Sequence, residues 1–372
     1  MIKCQVIMDA MEKIAPRILA EEWDNPGLLL GSPSQTINKI IICLDVNSQV
    51  VEKAITEKCD LIISHHPFIF HAIKKIRTDL PQGHLIQKLL QNNIAVFAAH
   101  TNLDSAHGGI NDLLCELWNL HDVAPLDISF QEELVKLVVF VPEAHAEKVR
   151  LALGKAGAGF IGNYSHCSFV SEGIGHFLPL EGTHPFIGKI GKIAAVKEIK
   201  VETILPLKIK DRVIKAMLKA HPYEEPAYEI YPLKTNADIT GLGRIGELPE
   251  ETSFVDFAAA VKASLPANNV RIVKVNDKKI KKVALCSGAG AEFIDKAKMM
   301  GADVYITGDV KYHEAQRAQD LGINLIDGGH FGTEYPIVRA LSAELQTLAQ
   351  ENDWQIKIIY DQNARDPFET LQ

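Results

Sequence analysis

One spacing constrains this chain more than any other feature. Asp60-Leu61-Ile62-Ile63-Ser64 falls on Asp303-Val304-Tyr305-Ile306-Thr307 at an offset of 243 residues, and at the same offset Cys43 falls on Cys286 and Lys53-Ala54 on Lys296-Ala297. Further on, at an offset of 230, His100 falls on His330 and Asp104 on Glu334. Both of those pairs read His-x-x-x-acid just after an apolar run. Generic likeness between two strand–helix–strand units would not match the imidazole and the acid as well, so the pattern predicts an internal duplication.

Within each copy the chain alternates strand and helix. The first has strands at 40–44, 60–64 and 94–99, with helices at 49–57 and 85–91, after an amphipathic helix carrying Ile7, Met11, Ile14 and Ile18 and a loop at Trp23-Asp24-Asn25-Pro26-Gly27. The second has strands at 282–286, 303–307, 323–327 and 354–360, and helices at 292–300, 312–321 and about 334–350. Such alternation predicts mostly parallel sheets covered on both faces. Residues 128–235 break the rhythm. There the order is strand (136–141), helix (145–154), strands (165–170 and 194–200), helix (210–220), strand (227–231). A β-α-β-β-α-β order is that of a ferredoxin-like unit. The expected fold class is therefore α/β: a duplicated three-layer α/β domain, in halves 1–127 and 236–372, interrupted by a ferredoxin-like α+β insert at 128–235.

Composition narrows the function. The 372 residues are 47% hydrophobic, enough for a large core, but apolar runs such as Ile40-Ile41-Ile42-Cys43-Leu44 are too short to span a bilayer. Met1-Ile2-Lys3-Cys4-Gln5 lacks the apolar stretch of a signal peptide, so a cytoplasmic location is expected. The six cysteines, at 4, 43, 59, 115, 167 and 286, show no C-x-x-C pair and read as buried reduced thiols. A net charge of −8 argues against general nucleic-acid binding. The basic run Lys278-Lys279-Ile280-Lys281-Lys282 reads as a solvated strand entrance.

In open α/β sheets, functional residues gather beyond the carboxyl ends of strands. Ser64-His65-His66-Pro67, His100-Thr101-Asn102-Leu103-Asp104 and Gly328-Gly329-His330-Phe331-Gly332-Thr333-Glu334 all fall there. Adjacent histidines in a straight strand point to opposite faces, so His65 and His66 share a site only if the backbone bends; Pro67 favours that. Alternatively each serves one of two neighbouring ions. Thr333 is a suitable N-cap, which would put Glu334 at a helix start and not on one helix face with His330. Singly, each motif has a structural reading as a polar loop or helix cap. Together, imidazoles and carboxylates without thiolates suit zinc, manganese, iron(II) or cobalt. His100 is a candidate ligand, supporting donor or proton shuttle. Asp45, Asp309 and His313 lie near the same rim, with a structural hydrogen bond as the alternative for each. Ser287-Gly288-Ala289-Gly290 reads as a tight turn, not a phosphate loop, and His221-Pro222-Tyr223-Glu224-Glu225-Pro226 as a shaped loop or subunit contact.

At these residues the sequence resembles the GTP cyclohydrolase I type 2 homologues, the NGG-one-interacting-factor-three-like dinuclear metal proteins. Glu22-Trp23-Asp24-Asn25-Pro26-Gly27-Leu28, the His-His-Pro and His-x-x-x-Asp loops, Gly241-Leu242-Gly243-Arg244-Ile245-Gly246 and Asp327–Glu334 carry the resemblance along the whole length. It implies two divalent metal ions held by His65, His66, Asp104, His330 and Glu334. It also implies a ring-shaped homohexamer whose sites face an internal cavity. The insert resembles the PII- or CutA-like modules of longer bacterial members.

Two functions compete. One is a metal-dependent hydrolase of a nucleotide-like or other small substrate, opening the GTP ring or cleaving phosphoesters, with His100 as the catalytic proton shuttle. The other is a non-enzymatic metal-binding scaffold or regulator. Association with DNA is weaker because the acidic balance opposes it.

Overall fold

A computed structural model describes residues 1–235 and 239–369. The chain divides into two compact units, Met1–Phe130 with Thr240–Gln372, and Gln131–Ile239. The fold is mixed α/β with several sheets, and among the described residues no helix is long and apolar enough to cross a membrane.

The first unit contains two large sheets. One has five strands in the order Lys357–Tyr360, Lys39–Cys43, Leu61–Ser64, Ala95–Ala98, Gly27–Leu30. The first four run parallel, and Gly27–Leu30 closes one edge antiparallel. Leu61–Ser64 and Ala95–Ala98 are buried at every residue. That explains their unbroken apolar runs, since both sheet faces are covered. The other sheet has six strands, Arg271–Val273, Asn324–Asp327, Val304–Thr307, Ile280–Leu285, Ile239–Thr252 and His121–Gln131. Its centre is parallel, while Arg271–Val273 and Ile239–Thr252 pair antiparallel to their neighbours.

The repeated residues do the same structural work in both sheets. Ile40 pairs with Leu61 and Val283 with Val304, the same register displaced by the repeat. The Asp60 carboxylate accepts from Asn38 N (2.6 Å) and Lys39 N (3.0 Å), and that of Asp303 from Lys281 N (2.9 Å) and Lys282 N (2.8 Å). Each aspartate thus ties the start of one strand to the start of the preceding one.

Several elements depart from the pattern read in the sequence. Helices Ile110–Leu117 and Phe254–Ser264 and the strands His121–Gln131 and Ile239–Thr252 were not anticipated. The glycines of 241–246 look like turn residues, yet they lie within a strand because the backbone there is crowded. A Cβ on Gly241 would sit 1.7 Å from Asp127 O, and Gly243 has φ +64°. The strand Lys357–Tyr360, expected among the strands of the C-terminal half, instead extends the N-terminal one beside Lys39–Cys43.

In the second unit the four strands run in the order Tyr228–Pro232, Leu134–Pro142, Ala194–Pro206, Ser168–Phe177, all antiparallel. Ser168–Phe177 starts later and runs longer than the sequence pattern suggested. Helices Ala146–Lys155 and Lys210–Ala220 cover one face, where Val149, Leu153, Val213 and Met217 meet Leu137, Val139 and Val201.

Arg244 joins the distant parts of the first unit. It is 2% exposed and donates to the carbonyls of Gly241 (2.8 Å), Gly243 (2.9 Å), Ser105 (3.3 Å) and Ala106 (3.0 Å), and to Asp112. Its removal leaves four carbonyls and the half-buried Asp112 carboxylate without their guanidinium donor. Arg244→Ala is expected to cost about 3–5 kcal/mol of stability, measured as a lower denaturation midpoint.

Candidate metal centre

The segments bearing His65-His66, His100–Asp104 and His330–Glu334 each follow a strand at its carboxyl end. The strand Leu61–Ser64 stops just before His65, and the backbone then turns; His65 N and His66 N donate to Cys43 O (3.1 Å) and Leu44 O (3.0 Å). Both imidazoles consequently reach one cluster, with ring centroids 5.1 Å apart. The bend demanded by two adjacent histidines is present.

Asp104 lies in the short helix Thr101–Ser105, and His330 and Glu334 open and close another, His330–Glu334. Here the helix starts a turn earlier than Thr333. Gly329 adopts φ +76° and its N–H donates to the Asp327 carboxylate (3.0 Å), which nucleates the turn at His330. His330 and Glu334 therefore do share a helix face, with Nε2 and Oε2 3.1 Å apart. Thr333 is no N-cap; its hydroxyl donates to Gly329 O (2.9 Å) and accepts from Gly288 N (3.0 Å).

Glu334, 3% exposed, lies at the centre. Its Oε2 is 2.9 Å from His66 Nε2 and 3.1 Å from His330 Nε2, while its Oε1 is 3.7 Å from His65 Nε2. Beyond His65, Asp104 Oδ1 is 3.6 Å from the same Nε2. Donor atoms of His65, His66 and His100, and of His66, His330 and Glu334, each converge within 4.8 Å, the spread of a metal-ligand set.

Each imidazole is oriented from behind. Asp45 accepts from His66 Nδ1 (2.8 Å), Asp309 from His330 Nδ1 (2.8 Å), Asp24 from His100 Nδ1 (2.9 Å) and the Ala99 carbonyl from His65 Nδ1 (2.9 Å). A ring that donates through Nδ1 presents Nε2 to its other side, the arrangement typical of metal-binding histidine. Asp24 also accepts from Thr101 N and Oγ1. It was seen in the sequence only as part of a loop; the 76 residues separating it from His100 hide the pairing. His313, by contrast, is exposed and pairs with Gln316 (3.0 Å) outside the cluster.

The charges are mutually dependent. Burial opposes protonation of the imidazoles, but the carboxylates prevail. Bonds to Asp45 and Glu334 push His66 up to about 10, and Glu334 with Asp309 pushes His330 up to about 9. Burial would raise Glu334, yet three histidines hold it well below the usual carboxylate range. Burial pushes Asp104 up.

The donor set fits a cation. His65 Nε2 and Asp104 Oδ1 are buried, face each other, and have no hydrogen-bond partner among the described residues. Burying such atoms unpaired is costly, and a cation between them would satisfy both. The Ser287–Gly290 turn serves this site directly. Gly288 has φ +62°, and a Cβ there would fall 2.1 Å from Glu334 Oε1.

A mixed α/β chain with such a histidine–carboxylate cluster at its strand ends carries side chains of the type that could hold a metal ion. The Duf34/NIF3 (NGG1p interacting factor 3) family model matches residues 2–367, and the chain belongs to that family. It is 44% identical over 367 residues to the GTP cyclohydrolase 1 type 2 homolog of Bacillus subtilis (strain 168), covering 99% of this chain and 98% of that one. The Mycobacterium tuberculosis (strain ATCC 25618 / H37Rv) protein of the same name is 35% identical over 334 residues, 89% of this chain and 88% of that one. Among solved structures, the Bacillus cereus protein related to NIF3 superposes with a TM-score of 0.90 at 44% identity, over 100% of this chain and 99% of that one.

Gly288→Ala is expected to lose about 1–2 kcal/mol from the left-handed backbone and to displace the Glu334 carboxylate. A thermal melt checks the first, and a crystal structure of the variant the second.

Proposed function

We propose that this chain holds two divalent metal ions, of the zinc, manganese, iron or cobalt type, with His65, His66, Asp104, His330 and Glu334, and that it is a metal-dependent hydrolase of a nucleotide-like or other small substrate. The observation that carries this reading is the position of Glu334, one oxygen toward the His66–His330 pair and the other toward His65 and Asp104. Bound ions would supply Lewis acidity at neutral pH.

The chain's own groups do the rest. Asp45 and Asp309 accept from Nδ1 of His66 and His330 and so fix the orientation of both rings. His100 is the proton shuttle in this reading: Asp24 accepts a hydrogen bond from its Nδ1–H, which orients the ring with Nε2 toward the cluster. Trp23 and Phe70 flank it, with ring centroids 6.0 and 6.3 Å away, and both rings are partly exposed. Exposed aromatic faces beside a base suit a planar heterocycle, which favours a nucleotide-like substrate. The name of the Bacillus subtilis relative agrees with that substrate class.

The same reading takes the first unit as a duplication, supported by the matched registers and the matched Asp60 and Asp303. It takes residues 128–235 as a ferredoxin-like, PII/CutA-like insert, supported by the strand order of that sheet. It places the protein in the cytoplasm as a homohexamer, which rests on the family resemblance.

The deciding experiment is elemental analysis joined to turnover: formate release from GTP against phosphate release from esters. About two ions per chain and one of the two products are expected; retained metal with no turnover supports the scaffold or regulator reading, and no metal under any loading condition overturns the proposal. Asp45→Asn is expected to weaken metal affinity by about 10–100-fold, measured by chelator competition. Because His66 and His330 carry raised pKa values of about 10 and 9, they are protonated at neutral pH and an entering ion displaces those protons. Apparent metal affinity should thus rise from pH 6 to 9, with proton release seen by calorimetry in buffers of different ionisation heat.

A further inference from the structure

The second unit carries a built cavity of its own. Glu198 pairs in register with Gly173 and Pro142. Strand alternation therefore puts Glu198, Lys200 and Phe140 on the sheet face opposite the helices. The segment 178–187 and Tyr223 lie over that face and bound a cavity of about 660 Å³. Small-molecule sites occupy roughly 300–1,000 Å³.

The chemistry of the lining is uneven. Glu198 is 8% exposed, and its one hydrogen-bond partner among the described residues is the Tyr223 hydroxyl, which donates to Oε1 at 2.9 Å. A carboxylate accepts several hydrogen bonds, and burying its charge is costly without a counter-charge. Gly175 makes room for that carboxylate, since a Cβ there would fall 2.1 Å from Oε2. Phe177 and Phe186 flank Tyr223, with ring centroids 5.9 and 6.3 Å away. Glu172, Glu224 and Glu225 also line the cavity, with Lys200 and His176; Glu172 pairs with Lys197 at 3.4 Å and Lys200 with Glu202 at 3.1 Å, which leaves Glu198, Glu224 and Glu225 to set the sign. The balance is negative and the walls are aromatic. That pairing suits an organic cation, because aromatic faces attract ammonium groups and a buried carboxylate neutralises them. A bare metal ion fits poorly, since hard cations demand several oxygen ligands.

We infer that this cavity binds a small organic ammonium ion with an apolar body, its N–H groups donating to Glu198 and its body lying against Phe177, Phe186 and Tyr223. The site is independent of the histidine cluster.

The test uses the full-length protein and three probes of one shape: phenethylammonium, neutral 2-phenylethanol and anionic 3-phenylpropionate, titrated by calorimetry and ligand-observed NMR. Phenethylammonium is expected to bind at least about tenfold tighter than the alcohol, with the carboxylate weakest. Glu198→Gln keeps the volume and the acceptor for Tyr223, and it should erase the preference for the cation. Phe186→Ala, in the covering segment, should weaken cation binding without moving the thermal midpoint. His66→Ala should leave cation binding unchanged. Equal affinities for the three probes, an undiminished preference in Glu198→Gln, or no phenethylammonium binding at about 10 mM would each overturn the inference.

Discussion

A carboxylate buried as deeply as Glu334 cannot stand without positive charge around it, and the first unit is organised to bring that charge in. Two histidines that face it come from segments 264 residues apart in sequence, His66 after a strand of one sheet and His330 after a strand of the other. Their rings are held from behind by Asp45 and Asp309, so neutralisation is shared through a network and not made by a single pair. Removing any one member leaves the rest over- or under-charged around the buried Glu334, which is why polar networks of this kind act as a unit.

The network explains features that otherwise look incidental. Thr333 bridges Gly288 N and Gly329 O and so locks the Ser287–Gly290 turn against the helix bearing Glu334. Asn111 accepts from Ser287 N (2.9 Å) and donates to Asp104 O (3.0 Å), linking that turn to the Asp104 helix. Arg244 gathers the carbonyls that follow Asp104. Packing of apolar strands places the loops roughly; these polar ties place the ligand atoms.

Much of this was legible in the sequence, for physical reasons. Parallel strands buried on both faces leave unbroken apolar runs, and a repeated fold leaves repeated aspartates where backbone amides need acceptors, as at Asp60 and Asp303. Residues that end strands stand out because their chemistry changes abruptly, as at Ser64-His65-His66. What escaped notice depends on long-range geometry. The pairing of Asp24 with His100, the buried acceptor set of Arg244 and the transfer of Lys357–Tyr360 to the first sheet leave no local signature. The early start of the His330 helix also could not be read, because it rests on one aspartate bonding two residues ahead.

The strand Lys357–Tyr360 lies almost at the end of the chain, yet it covers the flank of Lys39–Cys43 near the beginning. During synthesis the Lys39–Cys43 strand is therefore bare on that side until Lys357–Tyr360 has been made. An uncovered apolar strand invites pairing with a stranger, so the order in which the two strands are made leaves an aggregation-prone edge on the growing chain.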